Sequence, residues 1–192
     1  MKIEETSLKG VFLIHFDPIY DNRGYFLRFW DESVLSQFNI PLKWCEESIS
    51  YSRSKNTVRG LHFQYEPFSQ AKMIILLKGH ISDVAVNIDI NSPDYGKWQM
   101  IELSDKYHSA LYIPANFAHG FVTRADDCYL IYKMNKPYNP QYEDGIIWKD
   151  KELGITWNVN NPILSERDKG FKTFKEISKF LKGLNNEQQT GY

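Results

Sequence analysis

Hydrophobic and polar residues alternate most clearly over residues 83–90, where Val84, Val86, Ile88 and Ile90 interleave with Asp83, Ala85, Asn87 and Asp89. That period of two is the mark of a β-strand. Just upstream, Met73-Ile-Ile-Leu-Leu77 is continuously apolar and predicts a strand buried on both faces, with Lys78-Gly79-His80 as the turn between the two. Further strands are predicted over residues 11–16, 25–30, 58–64, 97–103, 110–113, 117–123 and 128–134, separated by connections rich in Gly, Pro, Asn and Asp. Residues 48–55 carry serine at 48, 50, 52 and 54, and read equally as a strand with one hydroxyl face or as a polar loop. Many short strands at this spacing predict an all-β sandwich or barrel.

Two segments switch to helical spacing. Residues 31–38 predict a short helix with Asp31 as N-cap. Phe174, Ile177, Leu181 and Leu184 predict an amphipathic helix over residues 171–184, packed on the barrel. Between the barrel and that helix, Pro137, Pro140 and Pro162 exclude long regular elements. A length of 192 residues suits one domain, expected over residues 1–184, with residues 185–192 as a disordered tail.

Composition narrows the function classes. A formal net charge of -1 supplies no global attraction for nucleic acid or an anionic membrane, so any anion recognition must be local. Cys45 and Cys128 do not make a disulfide framework, the start Met-Lys-Ile-Glu-Glu lacks an apolar signal core, and no run approaches the ~20 apolar residues of a membrane span. The expectation is a reduced, cytoplasmic protein without nucleic-acid or membrane partners.

Candidate chemistry centres on Val58-Arg-Gly-Leu-His-Phe-Gln64. Strict alternation would separate Arg59 from His62, but Gly60 permits a bulge that aims both into one cavity. His62 reads as a general base or as a buried structural histidine; His119, in Ile-Pro-Ala-Asn-Phe-Ala-His-Gly-Phe, leans toward the structural role. Tyr132 is a core aromatic or a phenolic acid, and Lys72 a pocket cation or a strand-edge charge. Arg23 and Arg28 flank a hairpin, as phosphate ligands or as solvated charge, and Asp168 alone reads as a surface residue. No His-x-His occurs, Gln64 standing two residues after His62, and no third ligand has a metal-site spacing, so no metal is expected.

Taken together, Asp-Asn-Arg-Gly-Tyr-Phe, Val-Arg-Gly-Leu-His-Phe-Gln, Gln-Ala-Lys, Ser-Pro-Asp-Tyr-Gly-Lys-Trp, Ile-Pro-Ala-Asn-Phe-Ala-His-Gly-Phe, Gly-Ile-Ile-Trp-Lys-Asp and Leu-Gly-Ile-Thr-Trp resemble the dTDP-4-dehydrorhamnose 3,5-epimerase family of nucleotide-diphosphate 4-keto-sugar epimerases. The resemblance implies a cupin-type, jelly-roll β-barrel, a homodimer exchanging N-terminal strands, and epimerisation with neither cofactor nor metal. It assigns His62 as base, Asp168 as its carboxylate partner, Tyr132 as acid and Lys72 as the cation facing an enolate, with Arg23, Phe26, Arg59 and His119 binding substrate. Three departures fall on recognition: Arg28 stands where a glutamate is usual, Glu46 or Glu47 with Ser48 replaces a Gln-x-Asn pair, and Pro137 replaces a frequent pocket tyrosine. They open GDP or CDP beside dTDP as the nucleotide. The alternatives implied are an epimerase acting at C3 or C5 alone, a keto-isomerase, or a non-catalytic sugar-nucleotide-binding cupin.

Overall fold

The structure, a computed structural model, describes residues 1–190, with side chains through residue 186. In chain order the elements are β1 (Lys2–Glu5), β2 (Phe12–His15), β3 (Ile19–Asp21), β4 (Gly24–Phe26), α1 (Glu32–Leu35, continued by a 3-10 turn over Ser36–Phe38), β5 (Glu46–Ser52), β6 (Val58–Gln64), β7 (Lys72–Lys78), β8 (His80–Asn87), β9 (Trp98–Ser104), β10 (Ser109–Ile113), β11 (Phe117–Thr123), β12 (Cys128–Met134), β13 (Glu143–Gly145), α2 (Glu166–Lys169) and α3 (Phe174–Thr190). Six strands pair in the order β1-β2-β10-β7-β12-β5 and five in the order β13-β6-β11-β8-β9, while β3 and β4 form a separate hairpin. This is the cupin-type jelly roll that the resemblance implies, and it agrees with the sandwich or barrel that the strand pattern predicts. Among the described residues no helix is long and apolar enough to cross a membrane.

Three apolar layers explain why so many strands are buried on both faces. One fills the space between the sheets, with Ile74, Leu76, Ile81, Leu111, Phe121 and Leu130. A second lies outside the five-stranded sheet, where Val84, Val86, Leu61 and Phe63 meet Trp157, Phe174 and Ile177. The third lies outside the six-stranded sheet, where Met73, Ile75 and Ala110 meet Leu35 of α1 and Ile40. Strand β7 therefore sends alternate residues into two different apolar layers, as its unbroken apolar run requires.

Each helix begins on a local signal. Asp31 caps α1 by accepting the Ser33 N–H. The expected start of the last helix at residue 171 moves to Phe174, because Thr173 and Glu176 form a reciprocal capping box: Glu176 accepts the Thr173 N–H and Thr173 Oγ1 accepts the Glu176 N–H. Its backbone continues through Thr190, so the tail expected from residue 185 is helical that far, and residues 191 and 192 lie outside the described residues. The strand expected over residues 25–30 stops at Phe26; Leu27 and Trp30 instead pack on the α1 layer.

Two further features place the site. Residues 48–52 prove to be strand, registered Ser48↔Tyr132, Ser50↔Leu130 and Ser52↔Cys128, and the even-numbered positions Glu46, Ser48 and Ser50 line a cavity between the sheets. On the facing sheet, Arg59 pairs with Phe121 and His62 with His119, so Gly60 and Leu61 together oppose the single residue Gly120. That is the bulge anticipated at Gly60, and it brings Arg59 and His62 to the same cavity. Only glycine fits there: φ is +111°, and a Cβ would sit 2.6 Å from the His119 carbonyl oxygen and 2.7 Å from Gly120 Cα.

Candidate active site

A cavity of about 440 Å³ opens between the two sheets, and its lining includes Arg59, His62, Lys72, His119 and Tyr132. The sheets supply opposite walls. His62 and His119 come from the five-stranded sheet, Lys72 and Tyr132 from the six-stranded one.

His62 Nε2 lies 2.9 Å from Asp168 Oδ1. A carboxylate only accepts hydrogen bonds, so this contact places the proton of neutral His62 on Nε2 and its lone pair on Nδ1. The other Asp168 oxygen accepts the Gly60 N–H at 3.0 Å, so the bulge also anchors the carboxylate. Asp168 sits on α2, whose N-cap Ser165 accepts its N–H. It is buried, not on the surface as its bare sequence context suggested. Burial acts to raise its carboxyl, but the hydrogen bonds from His62 and Gly60 outweigh this and hold it below the ordinary carboxylate value. The Phe171 ring meets His62 edge-on at 5.3 Å and fills its other side.

On the facing wall, burial pushes the Tyr132 phenol well above 10; nearby Asp83 adds to this and Arg59 opposes it. Tyr132 is therefore protonated throughout the neutral range and able to give up a proton only to a strong base such as a carbanion. Burial also brings Lys72 down to about 8, against the opposing pull of Glu143 and Asp83, and its Nζ donates to the His62 carbonyl at 3.2 Å. If the charged ammonium is needed for turnover, activity falls as pH rises through about 8, a limb that Lys72→Met should remove from the pH profile. Stability moves oppositely, because between about 8 and the unfolded value of 10.5 the unfolded chain binds the extra proton.

His119 Nε2 lies 2.9 Å from both oxygens of Asp83, and both side chains are almost fully buried. The ring is also edge-on to Tyr132 at 5.9 Å. Asp83, one of the polar positions that read as one face of a strand, thus lies inside the barrel and orients a cavity wall. Arg59 is fixed along β5, donating from Nε to Ser52 Oγ and from Nη2 to the Tyr51 carbonyl.

The remaining sequence candidates divide. Glu46 and Ser48 line the cavity, while Glu47 alternates outward and pairs with Lys133 at 2.7 Å. Arg23 is bound to Asp21 at 2.6 Å in the β3–β4 turn, Phe26 is exposed, and Arg28 faces Asp31 at 3.5 Å. None of these three lines the cavity of its own chain. Sequence reasoning missed Gln70, Tyr138 and Glu143, which do. Beside the departure read at Pro137, Tyr138 brings a tyrosine to the cavity, while the Pro137 carbonyl accepts from Gln64. Among the described residues no three His, Cys, Asp or Glu side chains converge as a metal site.

Comparisons with known proteins agree with this geometry. The family model for dTDP-4-dehydrorhamnose 3,5-epimerase matches residues 5–176. A dTDP-4-dehydrorhamnose 3,5-epimerase of Methanothermobacter thermautotrophicus is 36% identical over 180 residues, covering 92% of this chain and 96% of its own. Among solved structures, the dTDP-4-dehydrorhamnose 3,5-epimerase of Bacillus anthracis with TDP and pyrophosphate bound superposes with a TM-score of 0.87 at 35% identity, covering 90% of this chain and 99% of its own. The dTDP-6-deoxy-D-glucose-3,5-epimerase of Legionella pneumophila, in complex with dTDP-4-keto-L-rhamnose, gives 0.88 at 30% identity, covering 94% and 96%.

Proposed function

Because the chain belongs to the dTDP-4-dehydrorhamnose 3,5-epimerase family, we propose that its cavity inverts C3 and C5 of a dTDP-linked 4-keto-6-deoxy sugar. The observation that carries this reading is the placement of His62, with its lone pair on Nδ1 and Asp168 behind it, on one wall and protonated Tyr132 on the other. A hydrogen on a carbon beside a ketone is removable when the C–H electron pair moves onto the carbonyl oxygen. His62 Nδ1 takes that proton, and the Lys72 ammonium stabilises the enolate oxygen. Tyr132 then protonates the same carbon from the opposite ring face, which inverts it. Solvent removes the proton from His62 and restores Tyr132, so each turnover leaves the protein unchanged.

The β3–β4 hairpin supports a homodimeric reading. It exposes Ile19, Tyr20, Tyr25 and Phe26 and carries Arg23 away from its own cavity. In this reading each cavity receives the partner's hairpin, so that the partner's Arg23 meets the diphosphate. A sedimentation mass of one chain rather than two would dismiss it.

Thymidine is favoured over guanosine or cytidine because similar solved structures hold thymidine nucleotides, TDP in one and dTDP-4-keto-L-rhamnose in another. Calorimetric titration with dTDP, GDP and CDP in one buffer is expected to show tightest binding of dTDP; preference for GDP or CDP would overturn the assignment.

A further inference from the structure

Glu143 lines the cavity, yet the proton transfers described above give it no part. Its side chain is only 12% exposed, and its Oε2 accepts two hydrogen bonds, from Arg167 Nη2 at 2.5 Å and from Tyr138 Oη at 2.7 Å. Arg167 immediately precedes Asp168 on α2, and its guanidinium lies over the ring of Phe171, which in turn contacts His62. Glu143 pairs across β13 with Gln64 of β6, and Gly145 of the same strand pairs with His62. A closed circuit results: His62 to Asp168, along α2 to Arg167, across to Glu143, and back through the β13–β6 ladder to His62.

We propose that Glu143 and Arg167 form a positioning pair that holds α2, and with it Asp168, against the strand bearing His62. This deepens the epimerase reading and rests on it. The four-residue helix α2 is too short to be stable alone, so its placement depends on what ties it to the sheet. Gly60 N–H and His62 hold Asp168 itself, and the ion pair fixes the next residue along. Burial acts to raise the Glu143 carboxyl, but the hydrogen bonds from Tyr138 and Arg167 outweigh it and keep the group below its ordinary value, hence charged at neutral pH. Tyr138 extends the circuit to the opposite wall, because its N–H donates to Glu46 of β5. Gln64 braces the same segment, donating to the Pro137 carbonyl and accepting the Asn139 N–H.

Steady-state kinetics on a dTDP-linked 4-keto-6-deoxyhexose test the pair. Arg167→Ala is expected to lower kcat about tenfold by letting Asp168 and His62 drift, while KM changes less than about twofold. Arg167→Lys, which keeps the charge that pairs with Glu143 but not the planar guanidinium over Phe171, should restore part of the lost kcat. Glu143→Gln should reproduce the kcat loss, and the double variant Glu143→Gln/Arg167→Ala should lose little more than either alone. A wild-type kcat in Arg167→Ala, a loss that Arg167→Lys does not restore, or fully additive losses would overturn the proposal. Wild-type deuterium exchange in the same assay separates the two levels: its absence removes the epimerase reading, whereas exchange with an unaffected Arg167→Ala removes only the positioning pair.

Discussion

His62→Ala is expected to remove proton exchange at the carbons beside the ketone, lowering it by about 10²- to 10⁴-fold, the usual contribution of a positioned general base. The variant should fold, because His62 lies half-buried at the cavity rather than in an apolar layer. Its removal does leave Asp168 with one fewer hydrogen bond, but the Gly60 N–H still holds the other oxygen. A variant of intact circular dichroism that exchanges at the wild-type rate would show that another group takes the proton.

Tyr132→Phe is expected to separate exchange from inversion. In the proposed mechanism the phenol acts after the proton has left, so abstraction by His62 should survive while delivery to the opposite face falls by about 10²-fold or more. Tyr132 Oη has no hydrogen-bond partner among the described residues, so the substitution strands no buried group and leaves the melting temperature close to wild type. Substrate recovered from the variant should carry deuterium with its original configuration, read by NMR of the sugar ring. Inversion at the wild-type rate would remove Tyr132 from the acid's role.

The barrel was legible because alternation and apolar runs report directly on burial. Strands β6 to β12 match their expected positions to within a few residues, since each has a face or faces committed to an apolar layer. The short elements β1, β13 and α2 were not legible: their sequences Lys-Ile-Glu-Glu, Glu-Asp-Gly and Glu-Arg-Asp-Lys are polar, and β13 and α2 are placed by distant contacts, β13 by pairing with β6 and α2 through the hydrogen bonds of Asp168 to Gly60 and His62. Local pattern carries no trace of such pairing. The bulge at Gly60 was readable because glycine within a strand pattern has few other uses.

The site divided along the same line. Arg59 and His62 announce themselves by being close in sequence, and Tyr132 by sharing a strand face. Asp168 could not be read from the residues alone: 106 positions separate it from His62, and its neighbours Glu166, Arg167 and Lys169 are typical of a solvated turn. Only the resemblance to a family supplied it. Tyr138 stayed hidden because an irregular segment delivers it, with Gln64 rather than periodicity fixing its course, and Glu143 because β13 is only three residues long. Arg23 and Phe26 make the converse point, since motif resemblance assigns them to a substrate that their own chain's cavity does not bring near them.

The central claim is that His62 and Tyr132 move protons on opposite faces of a keto sugar, and solvent-deuterium incorporation tests it most directly. Wild-type protein incubated in D2O with a dTDP-linked 4-keto-6-deoxyhexose should yield an epimerised product with deuterium at both C3 and C5, located by mass spectrometry and proton NMR. Recovery of the sugar without deuterium at either carbon, under conditions where dTDP binds, would contradict it.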